Sequence, residues 1–283
     1  MAQQEPFRIA VVIVTYNAEE DIERNLRELR AQEGVALDVL VIDNGSSDRT
    51  LERISADGDV RVIANGENRW LAPAWNQGFA ATRAEYVLFL TPDTSLPDPS
   101  TLSALVAALA ERPKAGLAGP QLVDEDGSDL LNGTYRFPSV RFQVAAALGV
   151  TGLRRRRPAA RATPPRPGTR EVDIVNGACM LARRTALEDV GGFDNRYQLY
   201  WEEIDLARRL RDRGWAVLLV PAVTAVHRGK GSPAPSGLRR RAYRHGERVY
   251  MRTHHVAAAA ALVRAARVVG STREAAGGRL RRD

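Results

Sequence analysis

The stretch Tyr86–Thr94, YVLFLTPDT, sets five apolar or β-favouring residues ahead of a threonine, a proline and an acid. An apolar run this short, halted at Pro92, reads as a strand buried on both faces rather than as a helix. Asp93 then stands just past the carboxyl end of that strand. In an open α/β sheet this edge is where ligands bind, so two readings of Asp93 stand: an acid that shapes the turn, or one that holds a cation and its phosphates.

Working outward, Phe7–Thr15 is a Val/Ile-rich strand ending at Tyr16 and Asn17. Asn17 and Glu20 read as a helix-capping pair, and Ile22, Leu26 and Leu29 give the following helix one apolar face. The pattern repeats with Leu37–Asp43, the turn NGSSD, a helix from about Asp48 to Ser55 and a short strand Val60–Ala64. Asn68–Ala84 reads as loop and helix feeding the Tyr86 strand, and Asp98-Pro99 starts a helix over Thr101–Arg112. Parallel βαβ winding follows. Further on, Val172–Ala182 reads as one strand running through Asn176-Gly177, and Gly191–Asp194 as a sharp turn. Glu202–Arg213 reads as a helix ended by Gly214, and Trp215–Val220 as a strand.

Composition divides the chain. It has 283 residues, 44% of them hydrophobic, and a net charge of +7. Residues 151–170 hold seven arginines and no acid, and residues 238–283 hold twelve arginines against three acids, so the remainder is net acidic. The first basic run, rich in proline and poor in large apolar residues, reads as a mobile loop; the second reads as an amphipathic helical tail. We therefore expect one domain over 1–237, carrying the loop 151–170, and a basic tail over 238–283. Such patches meet anionic partners, a membrane face or nucleic acid, or are simply solvated. Cys179 is the sole cysteine, which excludes an internal disulfide and a multi-cysteine metal site and fits a reducing cytoplasm. The amino-terminal apolar run reads as the first strand, not a signal peptide, and no run reaches the roughly 18 apolar residues of a membrane span.

Several residues carry chemistry or its bland rival. Asp43 ends the second strand, where an acid accepts from a base or ribose, or merely caps the next helix. Neither GxGxxG nor GxxxxGK[ST] is present, so a bound nucleotide would need a cation for its phosphates. His227 precedes the basic glycine loop 228–232 and is either structural or part of a metal-diphosphate site. Glu202, Glu203 and Asp205 crowd a helix start: they compensate the dipole, or one is a general base whose pKa Trp201 raises by excluding water. His254 and His255 are adjacent on a helix and read as surface.

Taken together, VVIVTYN, VIDNGSSDRT, LFLTPDT, VNGACMLARRTALEDVGGFD, LYWEEIDLARRLRDRGW and the later His227 resemble, in order and spacing, glycosyltransferase family 2, and within it the bacterial rhamnosyltransferase branch. The resemblance spans residues 8–232. It implies a GT-A nucleotide-diphospho-sugar transferase fold, an α/β Rossmann-like and mostly parallel central sheet flanked by helices, here with a C-terminal helical tail. It also implies an inverting, metal-dependent transferase using Mg²⁺ or Mn²⁺. The donor would be a dTDP- or UDP-sugar, with L-rhamnose the sugar of the branch, and the acceptor a glycan or lipid-linked hydroxyl in cell-envelope polysaccharide synthesis. Carried over residue by residue, Thr15, Tyr16, Asn17 and Asp43 line the nucleoside, Asn68 and Asn76 the donor loop, and Asp93 the metal, with His227 as second ligand. Glu203 stands for the base, one methylene longer than the family's Asp, with Glu202 and Arg209 completing its motif. Thr91 stands where the metal motif has its first acid, and Trp70 where the donor loop has a glycine, so its ring reshapes that pocket. The implied location is cytoplasmic and peripheral at the inner face of the membrane. A nucleotidyltransferase, which lacks its expected phosphate loop here, and a non-catalytic nucleic-acid binder, which leaves the acids unexplained, are the rival readings.

Overall fold

A computed structural model describes residues 6–56, 58–129, 136–148, 168–229, 236–255, 257 and 261–268. The basic loop expected over 151–170 lies outside them up to residue 167, as do the glycine loop after Gly229 and the tail beyond 268. Strands β1 (Phe7–Thr15), β2 (Val35–Asp43), β3 (Arg61–Ala64) and β4 (Tyr86–Leu90) alternate with helices α1 (Ile22–Arg30), α2 (Thr50–Ser55) and α3 (Leu71–Ala80). Then come β5 (Thr94–Ser95), α4 (Thr101–Ala110), β6 (Ala115–Val123), α5 (Val140–Ala147), β7 (Arg170–Val172) and β8 (Cys179–Arg183). Helices α6 (Arg184–Val190) and α7 (Glu202–Asp212), strand β9 (Ala216–His227) and helix α8 (Ser236–His254) follow, with a further helical run at 261–268.

The strands form one sheet in the order β3-β2-β1-β4-β8-β6-β9-β5, with β7 on β9. β1 lies parallel between β2 and β4, and every residue from Ile9 to Ile13 is fully buried. Its side chains alternate between two cores. Ile9, Val11 and Ile13 pack with α1 and α4, while Val12 and Val14 pack with α3, α7 and α8. That is why β1 and β4 read as continuous apolar runs: a sheet covered on both faces has no polar side.

The expected winding holds through β4 and then reverses. β8 runs antiparallel to both β4 and β6, so the sheet carries antiparallel strands although its longest ladders are the parallel ones. An apolar run encodes burial, not direction. The single strand expected over Val172–Ala182 is broken: β7 pairs on β9, β8 pairs on β4, and residues 173–178 form the loop between them. The capping reading of Asn17 also fails, because α1 begins at Ile22. Asn17 takes φ 52°, and its side-chain oxygen accepts from the Ser47 N–H at 2.8 Å. Asp98 acts one turn ahead of α4, accepting from the Ser100 N–H at 2.8 Å.

Helix α8 is docked rather than free. Ala242, Tyr250 and Met251 are buried, and Trp201 stacks on Tyr250 at 5.3 Å. Gly246 permits this approach, since a Cβ there would lie 2.8 Å from the Tyr200 carbonyl oxygen. His254, expected at the surface, is 7% exposed and bonds the buried Asp205 carboxylate at 2.7 Å. Of the tail's apolar residues, Tyr250, Met251 and Val263 are buried, whereas Leu262 and Val268 stay exposed.

Gly78 brings α3 against β1: a Cβ there would sit 2.2 Å from the Val12 Cγ1. Gly78→Ala should therefore destabilise the fold by about 1–3 kcal/mol through overpacking, despite alanine's better helix propensity. A denaturant midpoint equal to the parent's would contradict this packing.

Candidate active site

The carboxyl ends of β1, β2 and β4 open into a cavity of about 290 Å³. Thr15, Tyr16 and Asn17 form one wall, Asn68 and Trp70 another, and Asp93, His227, Glu202 and Glu203 also face it. This is the edge at which open α/β sheets bind ligands.

Asp93 is delivered by two constraints. The first is a polar stripe formed by Asn25 and Glu28 of α1 and by Gln32 just past its end, spaced three and four apart. Asn25 donates to the Thr94 carbonyl at 2.8 Å, and Glu28 accepts from the Ser95 hydroxyl and the Leu96 N–H. Gln32 donates to the Asp98 carbonyl and accepts from the Leu102 N–H. These bonds satisfy a segment that would otherwise leave buried backbone groups unpaired. The second is the short antiparallel ladder of β5 and β9, which sets Thr94 opposite His227. The His227 Nε2 then lies 3.2 Å from an Asp93 carboxylate oxygen. Burial disfavours the charged carboxylate, but hydrogen bonds from His227 and Thr91 outweigh it, and the Asp93 pKa is lowered.

Glu202 and Glu203 begin α7 after two strained residues. Tyr200 and Trp201 have φ of 70° and 77°, a left-handed conformation that bulky residues rarely take. Trp201 is 2% exposed and holds this corner from behind. One carboxylate oxygen of each glutamate is buried and, among the described residues, has no hydrogen-bond partner. Burial pushes the Glu202 carboxyl well above its ordinary range, and the neighbouring Glu203 charge adds to this. Glu203 is also raised by burial, while backbone N–H groups at the helix start favour its ionised form. Backbone N–H groups oppose the shift at Glu202 too, and the two carboxyls titrate together as one pair whose charge is disfavoured.

Other anticipated residues lie elsewhere. The Asp43 carboxylate, in a residue 1% exposed, accepts from the Thr15 and Ser46 hydroxyls and from the Gly45 and Ser46 N–H groups. It organises the turn. Asn76 binds Phe193 and Asn195 and braces the Gly191–Asp194 turn rather than facing the cavity. Arg209 pairs with Asp205 at 2.7 Å and donates to the Val190 and Gly192 carbonyls. Seven residues along α7 from Glu202, it sits roughly 10 Å down the axis and braces the helix.

The sequence reading missed Asn44, Asn176 and Gly177, and the wall that α8 supplies through Leu238, Arg239 and Ala242. A Cβ on Gly177 would lie 3.1 Å from the Trp75 ring and 3.5 Å from the Glu203 Cβ. The Asn176-Gly177 pair, read as strand, carried the turn signal that marks this approach. Trp70, by contrast, takes φ 67° and ψ 176°, a region essentially reserved for glycine. The Asn68 side chain accepts from its N–H and the Asn44 side chain donates to its carbonyl.

Among the described residues no cluster of three or more His, Cys, Asp or Glu is arranged for a metal. One carboxylate and one imidazole facing each other nevertheless suit a divalent cation whose remaining ligands are water and phosphate oxygens.

Residues 10–191 match the family model described as glycosyl transferase family 2, and residues 168–266 match that of glycosyl transferase family 21. The N-acetylglucosaminyl-diphospho-decaprenol L-rhamnosyltransferase of Mycobacterium tuberculosis is 33% identical over 240 residues, 77% of this chain and 75% of the relative. A mannosyltransferase of Pyrobaculum calidifontis, solved with GDP-Man and Mn²⁺, shares the fold with TM-score 0.58. It is 20% identical, over 98% of this chain and 81% of that one. Glucosyl-3-phosphoglycerate synthase of M. tuberculosis, solved with Mn²⁺, UDP and glucosyl-3-phosphoglycerate, gives TM-score 0.59 at 21% identity, over 87% and 79%. These matches bear out the expected GT-A fold, and the protein belongs to glycosyltransferase family 2.

Proposed function

We propose that this glycosyltransferase moves L-rhamnose from a dTDP-sugar onto the amino sugar of a diphosphate-linked prenyl lipid, inverting the anomeric centre. The identity to the mycobacterial rhamnosyltransferase over three quarters of both chains carries the choice of sugar and acceptor. The cavity supports the chemistry, because it is lined by the Asp93–His227 pair and by Glu202 and Glu203 around one space.

In this reading Thr15–Asn17 lie along the nucleoside, Asp43 keeps that turn in shape, and Asn68 and Trp70 border the donor. Asp93 and His227 hold a divalent cation, which when bound neutralises the charge gathering on the leaving diphosphate. Glu203 takes the proton of the acceptor hydroxyl as its oxygen bonds to the anomeric carbon, opposite the departing nucleoside diphosphate. Glu202, kept protonated, adds no second charge beside the base. Arg209 is a bracing residue through Asp205 rather than a catalytic one. No helix among the described residues is long and apolar enough to cross a membrane. Peripheral attachment at the inner leaflet through the arginines that the sequence carries over 151–170 and beyond residue 268 would bring the enzyme to its acceptor, each worth roughly 1 kcal/mol at an anionic surface.

Assays of transfer from a panel of labelled nucleotide sugars to a GlcNAc-diphosphoprenol test the assignment. dTDP-rhamnose should be the preferred donor, and transfer of only other sugars would refute it. Glu203→Gln should lower kcat by about 10²–10⁴-fold, the range of a general base, whereas Glu202→Gln should keep most of it. Equal losses would show that the roles are not divided. Asp93→Ala should abolish Mn²⁺-dependent turnover, and activity retained with unchanged metal dependence would return Asp93 to a turn residue.

The raised carboxyl also fixes the sign of the pH response. Because Glu203 acts when ionised, kcat should rise with pH along a limb centred above the ordinary glutamate value of 4.5. Stability moves the other way. The folded pair keeps protons that the unfolded chain has already lost, so stability falls as pH rises from the ordinary value through the raised one. Glu202→Gln should flatten that decline in a series of melting curves.

A further inference from the structure

A second cavity, of about 640 Å³, lies between α8 and the helical run 261–268. It adjoins the first: Gln198, Leu238 and Ala242 line both. Its character is different. Arg241, Arg244, Arg248 and Arg252 follow one another at spacings of three, four and four, which puts them on one stripe of α8, and all four line this space. They are exposed, and among the described residues none of them is paired with a carboxylate. The one acid in α8, Glu247, is 2% exposed and bound by Arg267. Apolar side chains border the same space: Met251 of α8, and Ala261, Val263 and Val268 of the run 261–268, which also contributes Arg264 and Arg267. Val263 and Ala266 are buried, so together with the Glu247–Arg267 pair they anchor that run to the body of the protein.

We propose that this cavity is an isoprenoid-diphosphate site that holds the carrier end of the acceptor while its sugar reaches Glu203 through the shared wall. The inference rests on the reading of a lipid-diphosphate acceptor. A guanidinium fork matches phosphate oxygens two at a time, so an unneutralised stripe of arginines is complementary to a diphosphate. The apolar residues beside that stripe, Met251, Ala261, Val263 and Val268, suit the first prenyl units, which a soluble sugar nucleotide lacks. The continuity at Gln198, Leu238 and Ala242 is what one molecule needs in order to occupy both spaces.

Farnesyl diphosphate is the probe, titrated calorimetrically into the full chain in neutral detergent with thymidine diphosphate and Mg²⁺ in excess to fill the donor cavity. Farnesyl diphosphate should bind, with inorganic pyrophosphate and farnesol each weaker. The variant R241Q/R244Q/R248Q should bind it at least about tenfold more weakly, the loss expected for several charge-assisted bonds. R241K/R244K/R248K should recover part of that loss, and unchanged melting temperatures would exclude misfolding. Absent binding, or equal binding by the glutamine variant, would overturn the proposal. Pyrophosphate binding as tightly as farnesyl diphosphate would make this a plain anion site and overturn it as well. So would a glutamine variant that leaves anionic phosphatidylglycerol vesicles yet still binds the probe, because the stripe would then serve the bilayer. Failure of the wild type to glycosylate any diphosphate-linked lipid would instead remove the acceptor reading, and arginine-dependent binding of the probe would still establish the site.

Discussion

A sheet covered on both faces must end its strands without leaving backbone groups unpaired, and that requirement shapes the whole carboxyl edge. β1 and β4 are buried throughout their shared length, so the chain leaving them passes from a dry interior into loops that need partners. Each loop obtains them from carboxylates and amides. Asp43 gathers Thr15, Gly45 and Ser46 into one turn, and Asn25 and Glu28 of α1, with Gln32 just after it, reach across to hold the segment after β4. The cavity is the space these braced loops leave between them. Hydrogen bonds thus brace two of its walls, as positioning reacting groups demands.

Two pairs of ionisable groups meet there under opposite influences. Asp93 is half-buried but receives hydrogen bonds from His227 and Thr91, so its charge is favoured. Glu202 is buried and Glu203 half-buried, each with one buried oxygen that lacks a partner among the described residues, so their charge is disfavoured. Similar carboxyls thus take different states by environment alone, one suited to holding a cation and the other to exchanging a proton. The strain at Tyr200 and Trp201 belongs to the same corner, and it persists because α8 packs against it at Gly246.

That helix changes the meaning of the basic tail. Its apolar side belongs to the core, and His254 joins Tyr197 and Arg209 around the fully buried Asp205. Breaking such a set leaves a buried charge without compensation, so α8 is tied to the helix that carries the glutamates. Its outward side is left to the arginines.

Much of this was legible in the residues. The alternation of apolar runs and turns marked β1 through β4, and YVLFLTPDT placed Asp93 at the ligand edge, because burial on both faces and a proline stop are local properties. The density of acids at Glu202–Asp205 likewise announced a helix start. What the residues could not carry is whatever depends on distant segments meeting. The direction of β8, the breaking of Val172–Ala182 and the burial of His254 follow from neighbours more than ten residues away. Above all, Asp93 stood evenly between turn acid and cation ligand until the pairing of Thr94 with His227 brought an imidazole to within 3.2 Å of it. The sequence by itself determined which edge of the sheet would be polar; only the tertiary structure decided which polar groups share one space, because proximity across a sheet is set by strand order and not by spacing along the chain.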